Sequence, residues 1–391
     1  MRILTLVSWY LPAYKSGGPM KSIKNMVEQF DDFDFWVVTR DRDLGDENEF
    51  PNVEVNSWQA VGNSWVKYLA PKFLSLKYIS QVINTAEFDI LYLNSFFDFD
   101  FTIKALFARR FGLVKSCPVV LAPRGEFSKG ALALKFFKKK FFIILASWLG
   151  LYRGITWQAS SELEKKDIIL NLKVDPSSIF IAKDLPQKEP VSLENLVLKS
   201  NEICNVVFLS RISPTKNLYF ALQVLERIES TLVFDVYGPI EDKEYWQVCL
   251  DLIEQLPSNI VVNYMGTVTP AQVADVFSAY DLFFFPTLGE NYGHVIAESM
   301  SVGTPVLLSD QTPWQNLEDD RLGWDLPLDL ALFGRKVEEV ASMDAESRLS
   351  WRQEVAASSV RKINNDKDIA DNIALFEFAV ESFKNNHRVS K

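Results

Sequence analysis

One stretch of the chain, residues 283–309 (FFFPTLGENYGHVIAESMSVGTPVLLS), limits what the whole can fold into. Phe283, Phe284 and Phe285 form an apolar run that Pro286 stops, the pattern of a buried strand. Gly289 to Gly293 make a tight polar loop. Residues 295–302 read as a helix, ended by Gly303 with Pro305 just beyond it. Val306, Leu307 and Leu308 open the next strand. Glu290 falls in the loop and Glu298 in the helix, so both can face one ligand at the carboxyl end of a parallel sheet, where such sheets bind ligands. The helix N-terminus near Tyr292 and Gly293 offers N–H groups and positive potential to an anion.

The same rhythm runs through the rest of the chain. In the first half, strands are predicted at residues 3–9, 35–39, 89–93, 118–122, 155–159 and 179–182, with helices at 20–30, 72–84, 130–150 and from Ser160 onward. The second half restarts with strands at 206–210, 231–237 and 259–264 and helices at 218–229 and 270–280. Past Trp314 the pattern turns helical, through 337–342, 345–363 and 368–383. Strand–helix alternation twice over predicts two parallel-sheet α/β domains, and 391 residues suit two cores better than one. Residues 184–190 read as a linker by composition. The predicted division is 1–185, a linker at 186–203, a second domain at 204–365, and a terminal helix at 366–391.

Composition removes several classes. A net charge of -10 argues against a nucleic-acid binder. Cys117, Cys204 and Cys249 lack disulfide or metal-ligand spacing, and the two histidines are far apart, so no metal site is expected. The apolar N-terminus is too short for a signal peptide and reads as a first strand. No stretch is free enough of charge to span a membrane. The expected location is cytoplasmic.

Two further loops carry candidate chemistry. Arg211 and Lys216 follow a predicted strand, five residues apart across a turn with Pro214, where a planar fork and a compact charge can meet one anion. Lys15-Ser16-Gly17-Gly18-Pro19 follows the first strand, with Pro19 suited to the first helical position. Gly17 and Gly18 let backbone approach a ligand, although an ordinary βα turn fits the pattern too. The loop is not G-x-G-x-x-G, so dehydrogenase-type dinucleotide binding is unsupported. Asn94 ends a strand, as cleft-lining polar groups do in this architecture.

Taken as a phrase (apolar strand, Pro, loop with Glu and Gly, helix with Glu, Gly-x-Pro-Val), residues 283–309 resemble the E-x7-E motif of retaining glycosyltransferases of the GT-B fold, family 4. That resemblance implies two Rossmann-like domains facing a central cleft, with the last helix packed back on the first domain. It implies transfer of a sugar from a nucleotide-diphosphate donor with retention, and no cofactor or metal. It gives Arg211 and Lys216 to the donor diphosphate, Glu290 to hydroxyls of the transferred sugar and Glu298 to the ribose. Glu290, Arg211 and Lys216 are the catalytic candidates. Gly17, Gly18, Gly266, Asn291, Tyr292, Gly293 and His294 join Glu298 as donor-site candidates. The sequence departs from the family at Arg124, which stands where many relatives have a histidine near the end of a first-domain strand. Arg124 and Asn94 are acceptor-side candidates. A sugar-nucleotide epimerase and a non-catalytic scaffold share the fold and are the alternatives.

Residues 130–150 (GALALKFFKKKFFIILASWLG) interleave Lys135, Lys138, Lys139 and Lys140 with Phe136, Phe137, Phe141, Phe142 and Trp148. Between Phe101 and Arg153 stand eleven cations and one acid, Glu126, in a chain that is acidic overall. A basic helix with aromatic neighbours suits anionic lipid, each cation near the membrane contributing on the order of 1 kcal/mol. A core helix with lysines reaching out to water is the alternative. The lipid reading predicts peripheral contact with the inner face of the plasma membrane and a saccharide acceptor that is lipid-linked or membrane-borne, as in bacterial surface polysaccharide assembly.

Overall fold

The computed structural model describes residues 1–133, 136–188 and 201–389, without the side chains of Lys129 and residues 386–389. The chain forms two compact units. The first joins Met1–Lys188 with Asp366–Lys391, and the second is Glu189–Asn365.

The first unit holds eight strands: β1 (Arg2–Leu6), β2 (Asp34–Arg40), β3 (Trp58–Val61), β4 (Ser64–Leu69), β5 (Ile90–Asn94), β6 (Val119–Ala122), β7 (Thr156–Ala159) and β8 (Ile179–Ile181). Their order across the sheet is β3-β4-β2-β1-β5-β6-β7-β8, parallel except for the β3–β4 pair. Both faces are covered, as parallel sheets require. Alternate β1 residues therefore serve two cores: Leu4 and Leu6 pack with Phe101 and Trp157, while Ile3 packs with Ile23, Tyr92 and Phe376. Phe376 belongs to the terminal helix (Asp366–Val389), and its ring lies 5.3 Å from that of Tyr92.

The β3–β4 hairpin is an element that sequence periodicity did not single out. Val61 pairs with Ser64 across Gly62-Asn63, with Gly62 at φ +55°. A Gly-Asn pair between alternating apolar residues is a hairpin signal. At this edge Trp36 stacks on Trp65 and meets Trp58 edge to face.

The second unit has β9 (Cys204–Leu209), β10 (Leu232–Tyr237), β11 (Ile260–Gly266), β12 (Leu282–Phe285), β13 (Val306–Ser309) and β14 (Gly323–Leu326). All pair in parallel in the order β11-β10-β9-β12-β13-β14. This is the doubly wound order 3-2-1-4-5-6, whose direction reverses between its first and fourth strands, here β9 and β12. The three phenylalanines of β12 are fully buried. Strand β14 corrects the purely helical reading of the residues after Trp314; it is four residues long, too short to show a period. Residues 189–200, most of the predicted linker, lie outside the described residues, and Asp184 and Leu185 at its start are buried in the first unit.

Candidate functional site

The switch point of the second sheet carries part of the predicted set. Arg211 and Lys216 follow β9, and Glu290 to Glu298 follow β12, its neighbour. Hydrogen bonds tie the two loops into one piece. Leu288 N–H donates to Thr215 O at 2.8 Å, and the Thr287 hydroxyl donates to the same carbonyl at 3.1 Å. The Asn217 amide donates to Pro286 O at 2.9 Å. The Ser309 hydroxyl, at the end of β13, donates to Thr287 O at 2.5 Å. Asn217 supplies the left-handed turn (φ +62°) that closes the first loop and opens the Leu218–Leu225 helix.

On this frame Lys216 Nζ lies 2.6 Å from Glu290 Oε2, both side chains being mostly buried. The ammonium also stands 5.5 Å from the centre of the Phe285 ring. Arg211 behaves differently. Its guanidinium pairs with Glu241, beyond β10, at 3.1 Å, and both side chains are nearly half exposed. Arg211 and Lys216 thus sit at one end of β9 but on different carboxylates.

Gly293 is the N-cap of the His294–Ser301 helix, at φ +79° and ψ +61°, and no side chain caps that end. A Cβ there would come within 2.7 Å of Ile296 Cδ1 and 2.9 Å of Glu290 Cγ. Glycine is required for the turn and for the approach of Glu290. The Tyr292 ring is packed between His294, 4.7 Å away, and Trp314, 5.3 Å away. The Trp314 indole N–H donates to Tyr292 O at 2.5 Å. His294 is buried, and Glu298 lies on the same helix a little over one turn from Gly293. Gly266 ends the outer strand β11 at φ +79°, two strands away from β9, and open space surrounds its Cα.

The other candidates belong to the first unit. Gly17 is the N-cap of the Gly18–Gln29 helix at φ +71°, with nothing within 4 Å of a Cβ at either glycine. Arg124, expected as an acceptor contact, is placed differently. Its side chain is only 3% exposed, its backbone is left-handed (φ +58°), and its guanidinium turns inward. It pairs with Asp184 and donates to Asn94 Oδ1 at 2.8 and 3.1 Å and to Tyr92 Oη at 2.8 Å. Asn94 is fully buried. Neither side chain presents itself to solvent.

Two carboxyls to which the sequence assigned no role hold the loops next to Arg124. The Glu126 carboxylate accepts from the Ser95 hydroxyl (2.6 Å) and from Phe96 and Phe97 N–H (2.5 and 2.9 Å). Glu164 accepts from Gly125 N–H (2.6 Å) and from the N–H and hydroxyl of Ser160 (2.7 and 2.8 Å). Burial pushes both carboxyls above their ordinary values despite these bonds. Glu126 was legible as the lone acid of a cationic stretch.

The basic stretch forms helices at Lys129–Ala133 and Phe136–Trp148; Lys135 lies outside the described residues. In the longer helix only Ile143 and Ala146 are buried. Phe137, Phe141, Ile144 and Trp148 are 86%, 69%, 60% and 81% exposed, so this is a surface helix and not a core helix. Lys138 and Lys140 are exposed beside them, and Lys139 bends back to Ala131 O at 2.7 Å. No described helix is long and apolar enough to cross a membrane.

This architecture defines a GT-B protein. Residues 198–317, which contain both loops of the switch point, match the family model described as glycosyl transferases group 1. Solved structures of similar fold include Anabaena Alr3699/HepE in complex with UDP and glucose (TM-score 0.65, 15% identity, 97% of this chain and 99% of that one). WaaG, a glycosyltransferase involved in lipopolysaccharide biosynthesis, is similar too (TM-score 0.63, 12% identity, 95% and 98%). Among curated proteins, the D-inositol 3-phosphate glycosyltransferase of Gordonia bronchialis is 29% identical over 168 residues, 39% of this chain. The O-antigen chain mannosyltransferase B of Escherichia coli is 28% identical over 112 residues, 27% of this chain. The matches span 36% and 28% of the lengths of those two relatives.

Proposed function

We propose that the protein is a retaining, metal-independent glycosyltransferase of family 4 that moves a sugar from a nucleotide-diphosphate donor to a saccharide acceptor. The observation that carries this reading is the Lys216–Glu290 pair at the switch point, where doubly wound sheets bind ligands. Breaking the anomeric C–O bond puts negative charge on the leaving diphosphate and positive charge on the sugar. Lys216, Arg211 and the uncapped helix end at Gly293 supply fixed positive charge for the first. Under this reading Glu290 accepts hydrogen bonds from sugar hydroxyls, since a carboxylate can accept two at once. Glu298, farther along the helix, is assigned to the ribose. Under this reading the phosphate charge is met by side chains and backbone, and the leaving phosphate takes the acceptor's proton.

The acceptor is lipid-linked or membrane-borne, and the protein works at the cytoplasmic face of the membrane. Support comes from the Phe136–Trp148 helix, which exposes large apolar side chains next to lysines. Similarity to an O-antigen mannosyltransferase and to a lipopolysaccharide enzyme supports surface polysaccharide assembly as the setting.

The test is thermal unfolding with a panel of sugar nucleotides, UDP-glucose first, followed by assay of nucleoside diphosphate release. A binding donor raises the midpoint by mass action, by about 2.7 kcal/mol of stability at a hundred times Kd. No shift with any donor sinks the reading; an epimerised sugar without transfer favours the epimerase.

A further inference from the structure

The side chain of Arg124 is buried in the first unit. Its fork meets three residues on two elements: Tyr92 and Asn94 of β5, and Asp184 in the segment after β8. Asp184 also accepts from the Ser22 hydroxyl at 2.8 Å, one turn into the helix that starts at Gly18. Tyr92 Oη in turn donates to Gln158 Oε1 at 2.5 Å. The Gln158 amide donates to Ala182 O at 2.9 Å and reaches Asn372 Oδ1 at 3.4 Å. Asn372, on the terminal helix, donates to Lys183 O at 2.7 Å.

The network therefore touches both places where the chain passes between units. The outgoing segment is held at Ala182, Lys183 and Asp184, and also at Leu185, whose carbonyl accepts from the Asn25 amide at 2.8 Å. The returning segment is held at Asn372. The network also touches both loops at the ligand-facing end of this sheet, after β5 and β6, and the helix behind Gly17-Gly18. A buried ion pair is weak evidence for stability, since apolar residues of similar volume often serve as well. Its geometry is more telling: a planar fork holds its acceptors in fixed directions, whereas a lysine ammonium rotates freely and sets none.

We propose that Arg124 is a positioning residue: with Asp184 it sets the β5 and β6 loops and the Gly17-Gly18 turn in register with the segments that lead to and from the second unit. The inference rests on the glycosyltransferase reading only in taking those loops as the acceptor side.

The test is amide hydrogen exchange on the full chain, comparing Arg124→Met/Asp184→Leu with wild type. The double variant removes the pair without stranding a charge; Asp184→Asn, which keeps size and one acceptor, is the milder second variant. Exchange is expected to rise at least tenfold in residues 94–98, 123–127, 18–25 and 182–186 together, with residues 204–300 unchanged. Exchange raised only in 123–127, or nowhere, overturns the proposal. In donor turnover, kcat should fall at least tenfold while donor KM stays within twofold; wild-type kcat in the double variant would show a packing role alone. The exchange result needs no substrate, so it stands or falls apart from the reading of function.

Discussion

Lys216 Nζ and Glu290 Oε2 lie 2.6 Å apart, on loops that follow neighbouring strands of the second sheet. Under the proposed function, a diphosphate arriving at Lys216 would compete with Glu290 for the ammonium, and a sugar hydroxyl would then give Glu290 a new partner. Glu290→Gln keeps the shape and loses the charge. We expect transfer to fall by roughly 100-fold, the scale for losing one preorganised electrostatic contact. The unfolding midpoint should stay close to wild type. Equal activity in the diphosphate-release assay would remove Glu290 from the site.

Gly293→Ala attacks the same carboxylate through the backbone. The left-handed φ and the 2.7 and 2.9 Å approaches to Ile296 and Glu290 leave no room for a methyl group. Destabilisation of about 1 kcal/mol or more is expected from the backbone alone. Donor affinity should fall as well, because the added Cβ displaces Glu290. Chemical denaturation and donor titration measure the two effects separately.

The exposed face of the Phe136–Trp148 helix predicts binding to anionic vesicles. Lys138→Gln with Lys140→Gln should weaken partitioning into phosphatidylglycerol vesicles about 30-fold, taking roughly 1 kcal/mol for each cation. Phe137→Ser with Trp148→Ser should weaken it on neutral vesicles too, where charge plays no part. Sedimentation with vesicles reads both. Unchanged binding in the lysine variant removes the electrostatic contribution.

Glu164 gives stability a pH dependence. Burial raises its folded-state carboxyl above the ordinary glutamate value, against hydrogen bonds from Ser160 and Gly125. Just above that value the native state holds a proton that the unfolded chain has released, so stability must decline as pH rises through the folded-state value. Its contribution is fully present below the unfolded value. Urea unfolding between pH 4 and 7 should show a shallower decline for Glu164→Gln than for wild type. Parallel profiles would mean that Glu164 titrates alike in both states.

Much of the fold was legible because its strands are buried on both faces and read as unbroken apolar runs, β12 most plainly. The Glu290 and Lys216 loops were legible because strand ends, prolines and glycines mark them. What escaped was set by distant contacts. Nothing near Arg211 in sequence announces Glu241, and nothing near Arg124 announces Asp184, sixty residues on. Direction was hidden as well: a cation after a strand looks the same whether it turns to solvent or, as at Arg124, into the core. β14 was hidden by brevity.

The terminal helix belongs to the core of the first unit, where Leu375, Phe376 and Ala379 are almost completely buried. Everything between Glu189 and Asn365 must leave the ribosome before those residues can dock. During synthesis the second unit can close its sheet while the first still exposes the apolar face that Phe376 will cover. The first unit is thus completed after the second, and its uncovered face is what chaperones would meet in the interval.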